Sequence, residues 1–140
     1  MTPHIPASLR RAVRQAAAGC CAYCRSHEDL MGVPFEIDHI IPLSEQGATS
    51  LDNLCLSCPA CNRYKTNKQT AIDPVTGQSA ALYHPRRQMW SEHFSWNADG
   101  LRIIGKTPSG RATIETLHIN RPVLVQLRAY WKTLGLHPPE

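Results

Sequence analysis

Residues 35–42 read FEIDHIIP. Asp38 and His39 sit side by side in an apolar run, with Ile37 before them and Ile40 and Ile41 after. A carboxylate is a hard oxygen donor suited to Mg2+ or Mn2+. A neutral imidazole beside it can take a proton from water. Adjacent side chains of a strand face opposite sides. The pair can therefore serve one site only where the strand ends or bends, and Pro42 with the loop after it supplies that end. Glu36 shares the strand face of Asp38 and is either a second carboxylate or a surface residue. Taken alone, Asp-His is also what a capped turn or a hydrogen-bonded histidine looks like.

The cysteines change the weight of that pair. Cys21 and Cys24 form one C-x-x-C, and Cys58 and Cys61 form another. Each such knuckle offers two sulfurs from a tight turn, and two together close a tetrahedral four-thiolate zinc site. A redox-active C-x-x-C with unrelated thiols is the ordinary alternative, and the doubling argues against it. Asp38, His39 and Asn53 lie between the knuckles, and Asn62 follows Cys61 directly. Zinc would clamp both ends of a segment too short to build a rigid core alone. Cys20 reads as a neighbour of the first knuckle and Cys55 as a small buried hydrophobe.

These residues need elements to hold them. Residues 7–18 have a helical pattern, with Ser8 as a cap and Gly19 at the C-terminal stop. Residues 34–41 read as a short strand ended by Pro42, and 51–56 as a second short element. Residues 62–69 read as a helix coming off the second knuckle. DPVTG at 73–77 is a turn, and 85–92 holds a turn or two of helix opened by Pro85. Residues 93–97 and 101–106 flank ADG and make a hairpin. Residues 110–119 fit a helix or a strand. Asn120 reads as the cap of a last helix with Pro122 just inside it, Leu124, Leu127, Trp131 and Leu134 on one face, and Gly135 as its stop. HPPE reads as a frayed tail.

The pattern C-A-Y-C, then E-I-D-H-I-I-P, then L-D-N-L, then C-P-A-C-N-R-Y-K resembles the zinc-knuckled HNH endonucleases over residues 20–66. HPRRQMWSEHFSW is similar to the stretch after the motif in some stand-alone members. The resemblance implies an α+β fold: a ββα-metal core clamped by the four-cysteine zinc site over 20–66. A C-terminal extension of hairpin and helices over 67–140 would complete one nuclease domain spanning 1–140. It implies His39 as general base, Asn53 as the residue that orients the loop and the base, and Asn62 at a third position that is often histidine. An HNN variant offers an amide oxygen there, favouring Mg2+ or Mn2+ over Zn2+. Asp38 and Asn62 would hold one such ion while His39 activates water, leaving a 5′-phosphate and a 3′-hydroxyl. Arg63, Lys65 and Lys68 would approach phosphates, as would Arg86 and Arg87 with His84 nearby. A solvated basic surface is the plainer reading of each. Tyr23, Trp90 and Trp96 read as core.

The totals agree without deciding. The chain has 140 residues, 15 Lys plus Arg against 11 Asp plus Glu, and a net charge of +4. Eleven of those cations are arginine, the one best shaped to fork onto phosphate. No apolar stretch approaches the length of a membrane span, and the first residues lack a signal-peptide core. The expected setting is cytoplasmic and the expected partner DNA. Reduced thiols there favour metal over disulfides. A zinc-stabilised nucleic-acid-binding module without catalysis needs the same cysteines and basic residues, but not Asp38, His39 and Asn62 together.

Overall fold

Two short strands and a helix form around residues 36–65. In the computed structural model, which describes residues 4–139, β1 (Glu36–His39) pairs antiparallel with β2 (Leu54–Ser57). Met1–Pro3 and Glu140, the ends of the expected 1–140 unit, lie outside the described residues. The register sets Asp38 opposite Cys55 and His39 opposite Leu54. β2 is buried along its whole length, so its Leu-Cys-Leu run fills the interior rather than alternating. β1 is shorter than the run 34–41 and stops at His39, which the Asp-His pair requires if both are to reach one site.

The following helix, α3 (Pro59–Lys65), starts and stops earlier than residues 62–69. Cys58 occupies its cap position, and its sulfur accepts the backbone N–H of Cys61 at 3.4 Å. Pro59 suits the first turn because its missing N–H would have no helical partner there. Thr66, at φ +49°, ends the helix. Starting at Pro59 puts Cys61, Asn62 and Lys65 all on helical backbone, so their spacing is governed by its 3.6-residue turn.

Around this unit lie α1 (Ala7–Ala17) and the single-turn α2 (Glu28–Met31). Then come a β3–β4 pair (Thr70–Ile72, Ser79–Ala81), α4 (Trp90–His93) and a β5–β6 pair (Phe94–Trp96, Ile103–Gly105). Two last helices are α5 (Pro108–Leu117) and α6 (Pro122–Thr133). The β5–β6 pair sits where the hairpin was expected. Residues 110–117 resolve as part of α5, with His118 as its left-handed stop, because Thr107 caps the helix, accepting the Gly110 N–H at 3.0 Å. The turn at 73–77 proves to join two strands, and Arg111 of α5 grips its Asp73 through two 2.9 Å bonds.

Three local expectations are corrected. Ser8 lies inside α1, whose cap position is Pro6, while Ala18 and Gly19 after its end both take positive φ, as the stop at Gly19 required. Asn120 does not cap α6: its amide pairs with both backbone groups of Ile103, at 2.8 Å each. The tail through His137 packs rather than frays, with Nε2 donating to Gly100 O at 2.7 Å and the ring edge-on to Trp96. One buried cluster takes in Val13, Phe35, Leu54, Leu56, Phe94, Leu124 and Trp131, so both halves of the chain share apolar contacts. Each fully buried leucine contributes about 1.5–3 kcal/mol.

Candidate functional site

The sulfurs come together first. Cys21, Cys24, Cys58 and Cys61 are buried, and their four Sγ atoms lie within 4.8 Å of one another. Four Zn–S bonds of about 2.3 Å in a tetrahedron place sulfurs about 3.8 Å apart. Cys24 and Cys58 are 3.7 Å apart. The thiols divide in their acidity: burial pushes Cys21 up and its neighbours push Cys61 up. Hydrogen bonding from Cys21 pulls Cys24 and Cys58 down. Such a cluster cannot hold four negative charges unaided, and a dication would let all four ionise. Donor type, number and spacing fit a zinc ion. The Arg121 guanidinium, 3.9 Å from Cys58 Sγ, adds positive charge beside it.

One residue after the last cysteine, α3 turns Asn62 toward β1. Asn62 Nδ2 donates to Glu36 Oε1 at 2.6 Å. One turn further, Lys65 reaches Asp38. Its ammonium lies 3.3 Å from Oδ1 and 3.2 Å from Oδ2, and donates to His39 O at 3.3 Å. Tyr23 donates to Asp38 Oδ2 at 2.7 Å, and Cys55 Sγ lies 3.8 Å from the same oxygen. Burial raises the Asp38 carboxyl above its ordinary value, and Lys65 and Tyr23 offset part of that. Lys65 is 1% exposed, so its expected place among surface phosphate contacts is corrected: it is an internal partner of Asp38. The sequence held the signal for this, since i and i+3 on a helix share a face, but not which element that face meets.

His39 is half-buried, and its Nε2 lies 3.0 Å from Thr49 Oγ1. Burial lowers the imidazole below its ordinary value; Asp38 opposes this and Lys65 adds to it. Asn53 ties down the loop that carries Thr49. Its Oδ1 accepts Ile41 N–H at 2.8 Å, and Nδ2 donates to Ile41 O at 3.0 Å and Ala48 O at 2.9 Å. Every bond that the amide makes there uses a defined end of it. Gly47 is required by close approach: a Cβ there would sit 1.8 Å from Ile41 O and 2.8 Å from Asn53 Nδ2.

Asp38, His39 and Asn62 line one solvent-open cavity of about 230 Å³, together with Ile37, Leu43 and Thr66. Oxygens of Asp38 and Asn62 are the chemistry that would hold a hard cation there, with Glu36 at the rim. The Asn62 side-chain oxygen, Oδ1, makes no protein hydrogen bond among the described residues. Oxygen donors of these types are the kind Mg2+ or Mn2+ takes, and Lys65 is the cation already in place on Asp38.

The remaining expected cations do not form one surface. Lys68, His84 and Arg87 line a second cleft of about 280 Å³ with Ile40 and Ile41, the residues that follow His39. His84 Nδ1 accepts the Arg86 and Arg87 N–H groups at 3.2 Å each, and burial lowers its ring below the ordinary value. Arg86 turns elsewhere, donating to Leu54 O at 2.9 Å and lining a separate crevice with Arg25. Arg63 is exposed on α3. The structure thus brings Lys68, His84 and Arg87 together and sets Lys65 and Arg86 apart. Tyr23, Thr49 and Arg121 are the neighbours of the site that the sequence did not single out.

Comparison with known proteins bears on the same segment. Residues 21–68 match the family model described as HNH endonuclease. The chain is also similar to the Septu protein PtuA of Bacillus mycoides (strain KBAB4), 30% identical over 92 residues. That match takes in 56% of this chain and 12% of the relative, so the chain corresponds to a small part of that protein's length. The family that this model describes is one of nucleases. No helix among the described residues is long and apolar enough to cross a membrane.

Proposed function

We propose that the segment matched to the HNH endonucleases makes this chain a metal-dependent endonuclease acting on DNA, a single domain with a zinc-clamped ββα-metal core. The observation that carries the reading is the common cavity of Asp38, His39 and Asn62, one residue from the sulfur cluster. His39 is the general base. Burial lowers its ring below the ordinary value, which favours the neutral form, and it takes a proton from the attacking water. Asp38 and Asn62 would hold the divalent ion through oxygen. That ion would supply Lewis-acid stabilisation of the charge that develops in phosphoryl transfer. Attack at phosphorus breaks the bond to the 3′-oxygen, which takes a proton from solvent, leaving a 5′-phosphate and a 3′-hydroxyl. Asn53 is a positioning residue: its three bonds hold the loop against the end of β1. Lys68, His84 and Arg87 supply positive charge in the neighbouring cleft, where the phosphate backbone would run. Arg63 serves the same purpose from α3.

The ion pair on Asp38 favours one other reading, a zinc-stabilised nucleic-acid-binding module in which Lys65 permanently replaces the metal. A supercoiled-plasmid nicking assay with Mg2+ or Mn2+ separates the two. The endonuclease reading expects metal-dependent nicking that His39→Ala lowers by about 10²–10⁴-fold, with unchanged thermal unfolding. Binding to DNA without such nicking would support the module.

A further inference from the structure

A histidine acting as base needs its lone pair on one particular ring nitrogen. In the neutral ring one nitrogen carries the proton and the other the lone pair, and the partner of the first decides which is which. His39 has one hydrogen-bonding partner among the described residues, the Thr49 hydroxyl, 3.0 Å from Nε2. Nδ1 has none there.

That hydroxyl is placed by a built loop rather than by chance proximity. Ala48, the residue before Thr49, is held through its carbonyl by Asn53 Nδ2. Gly47, one residue earlier, packs so closely on Ile41 and Asn53 that no side chain fits. Ser50, the residue after, accepts the Asn53 N–H through its carbonyl at 2.9 Å. The loop backbone is thus fixed on both sides of Thr49. The β-branched side chain adds a stiff χ1. Asn53 acts on the backbone of this loop, and Thr49 is where the loop meets the imidazole.

We propose that Thr49 is a positioning residue that accepts the Nε2–H of His39, fixing the ring's tautomer and orientation so that Nδ1 presents the basic lone pair. This deepens the endonuclease reading and rests on it for its catalytic consequence. The assignment of the hydrogen bond itself does not.

Two measurements test it. Nitrogen-15 NMR of the imidazoles, at a pH where His39 is neutral, reads the tautomer directly, with His39→Gln identifying the signal. The parent protein is expected to show the Nε2–H form. Thr49→Val is expected to give a mixture, and Thr49→Ser, which keeps the hydroxyl, to restore the single form. In the nicking assay Thr49→Val is expected to lower kcat by about 10-fold or more, with KM and melting temperature held, and Thr49→Ser to recover most of it. A parent showing the Nδ1–H form, or a valine variant with the parent's tautomer and kcat, overturns the proposal. If valine prevents folding, Thr49→Ala against Thr49→Ser gives the same comparison without the β-branched methyl. A tautomer that follows the hydroxyl in a protein that never nicks DNA would leave the hydrogen bond standing and remove the endonuclease reading.

Discussion

Two sites meet at the bond between Cys61 and Asn62, and they are built on opposite principles. On one side four buried cysteines converge on one point, with the Ser26 and Arg121 side chains at their edge. On the other side every group already has a protein partner: Asn62 has Glu36, Asp38 has Lys65 and Tyr23, and His39 has Thr49. A closed set of soft donors is architecture, since it leaves no open position for a substrate. An open cavity lined by pre-paired hard donors has to exchange partners to bind anything. The helix that joins them makes the first site the anchor from which the second is aimed, because Cys61 and Asn62 share one rigid turn.

The comparison breaks most severely at the sulfur end. Cys58→Ala removes one sulfur of the four-cysteine cluster that fits zinc, the α3 cap and the Arg121 contact together. A structural zinc ion is worth on the order of 10 kcal/mol in small domains, comparable to the entire stability of a chain this size. The variant is expected to lack bound zinc by elemental analysis and cooperative unfolding by circular dichroism. A stable, zinc-free Cys58→Ala protein would show that the cluster is not architectural.

At the oxygen end the largest effect belongs to Lys65, not to the exposed cations. Lys65→Met leaves the Asp38 carboxylate buried without its counter-charge, a loss of about 3–5 kcal/mol to be read by urea unfolding. Asp38→Asn in the same background should return part of it. Mg2+ sharpens the contrast. If Asp38 is a cation ligand, added Mg2+ should raise the melting temperature of Lys65→Met more than that of the parent. Equal responses would place the ion elsewhere.

The smallest expected effect is on pH dependence. On the endonuclease reading the base must be neutral to act, and burial with Lys65 lowers His39 while Asp38 opposes. A lowered folded-state value keeps the ring neutral further into acid, so the acid limb of the nicking profile should fall below about 6.5, the ordinary imidazole value. Lys65→Met removes one lowering influence and should move that limb toward higher pH, if the variant folds. A limb at or above the ordinary value in the parent would contradict the reading.

Much of the site was legible because its signals are local. Two C-x-x-C turns carry their chemistry in their spacing, and the structure clusters all four sulfurs. The hairpin after residue 93 was announced by a turn between apolar runs. Other features needed distant partners. Residues 73–77 read as a turn alone because the strands on either side are three residues each and mostly exposed, too short for a period to emerge. Asn120 has the composition of a cap, and the free backbone of Ile103 competed for its amide and won.

The amino-acid order by itself determined the metal chemistry on offer: thiolates in pairs, an Asp-His step at the end of a strand, and an amide directly after the last cysteine. Types and short spacings are covalent facts, and they survive any folding. Only the tertiary structure decided who answers whom. It turned Lys65 inward because a helix starting at Pro59 brings residue 65 one turn past residue 62, beneath Asp38. It laid Thr49 on His39 because Gly47 and Asn53 fold the loop back against the strand end. Those contacts join residues that are 27 and 10 apart. Such separations carry no periodic signature, and only chain closure and packing can set them.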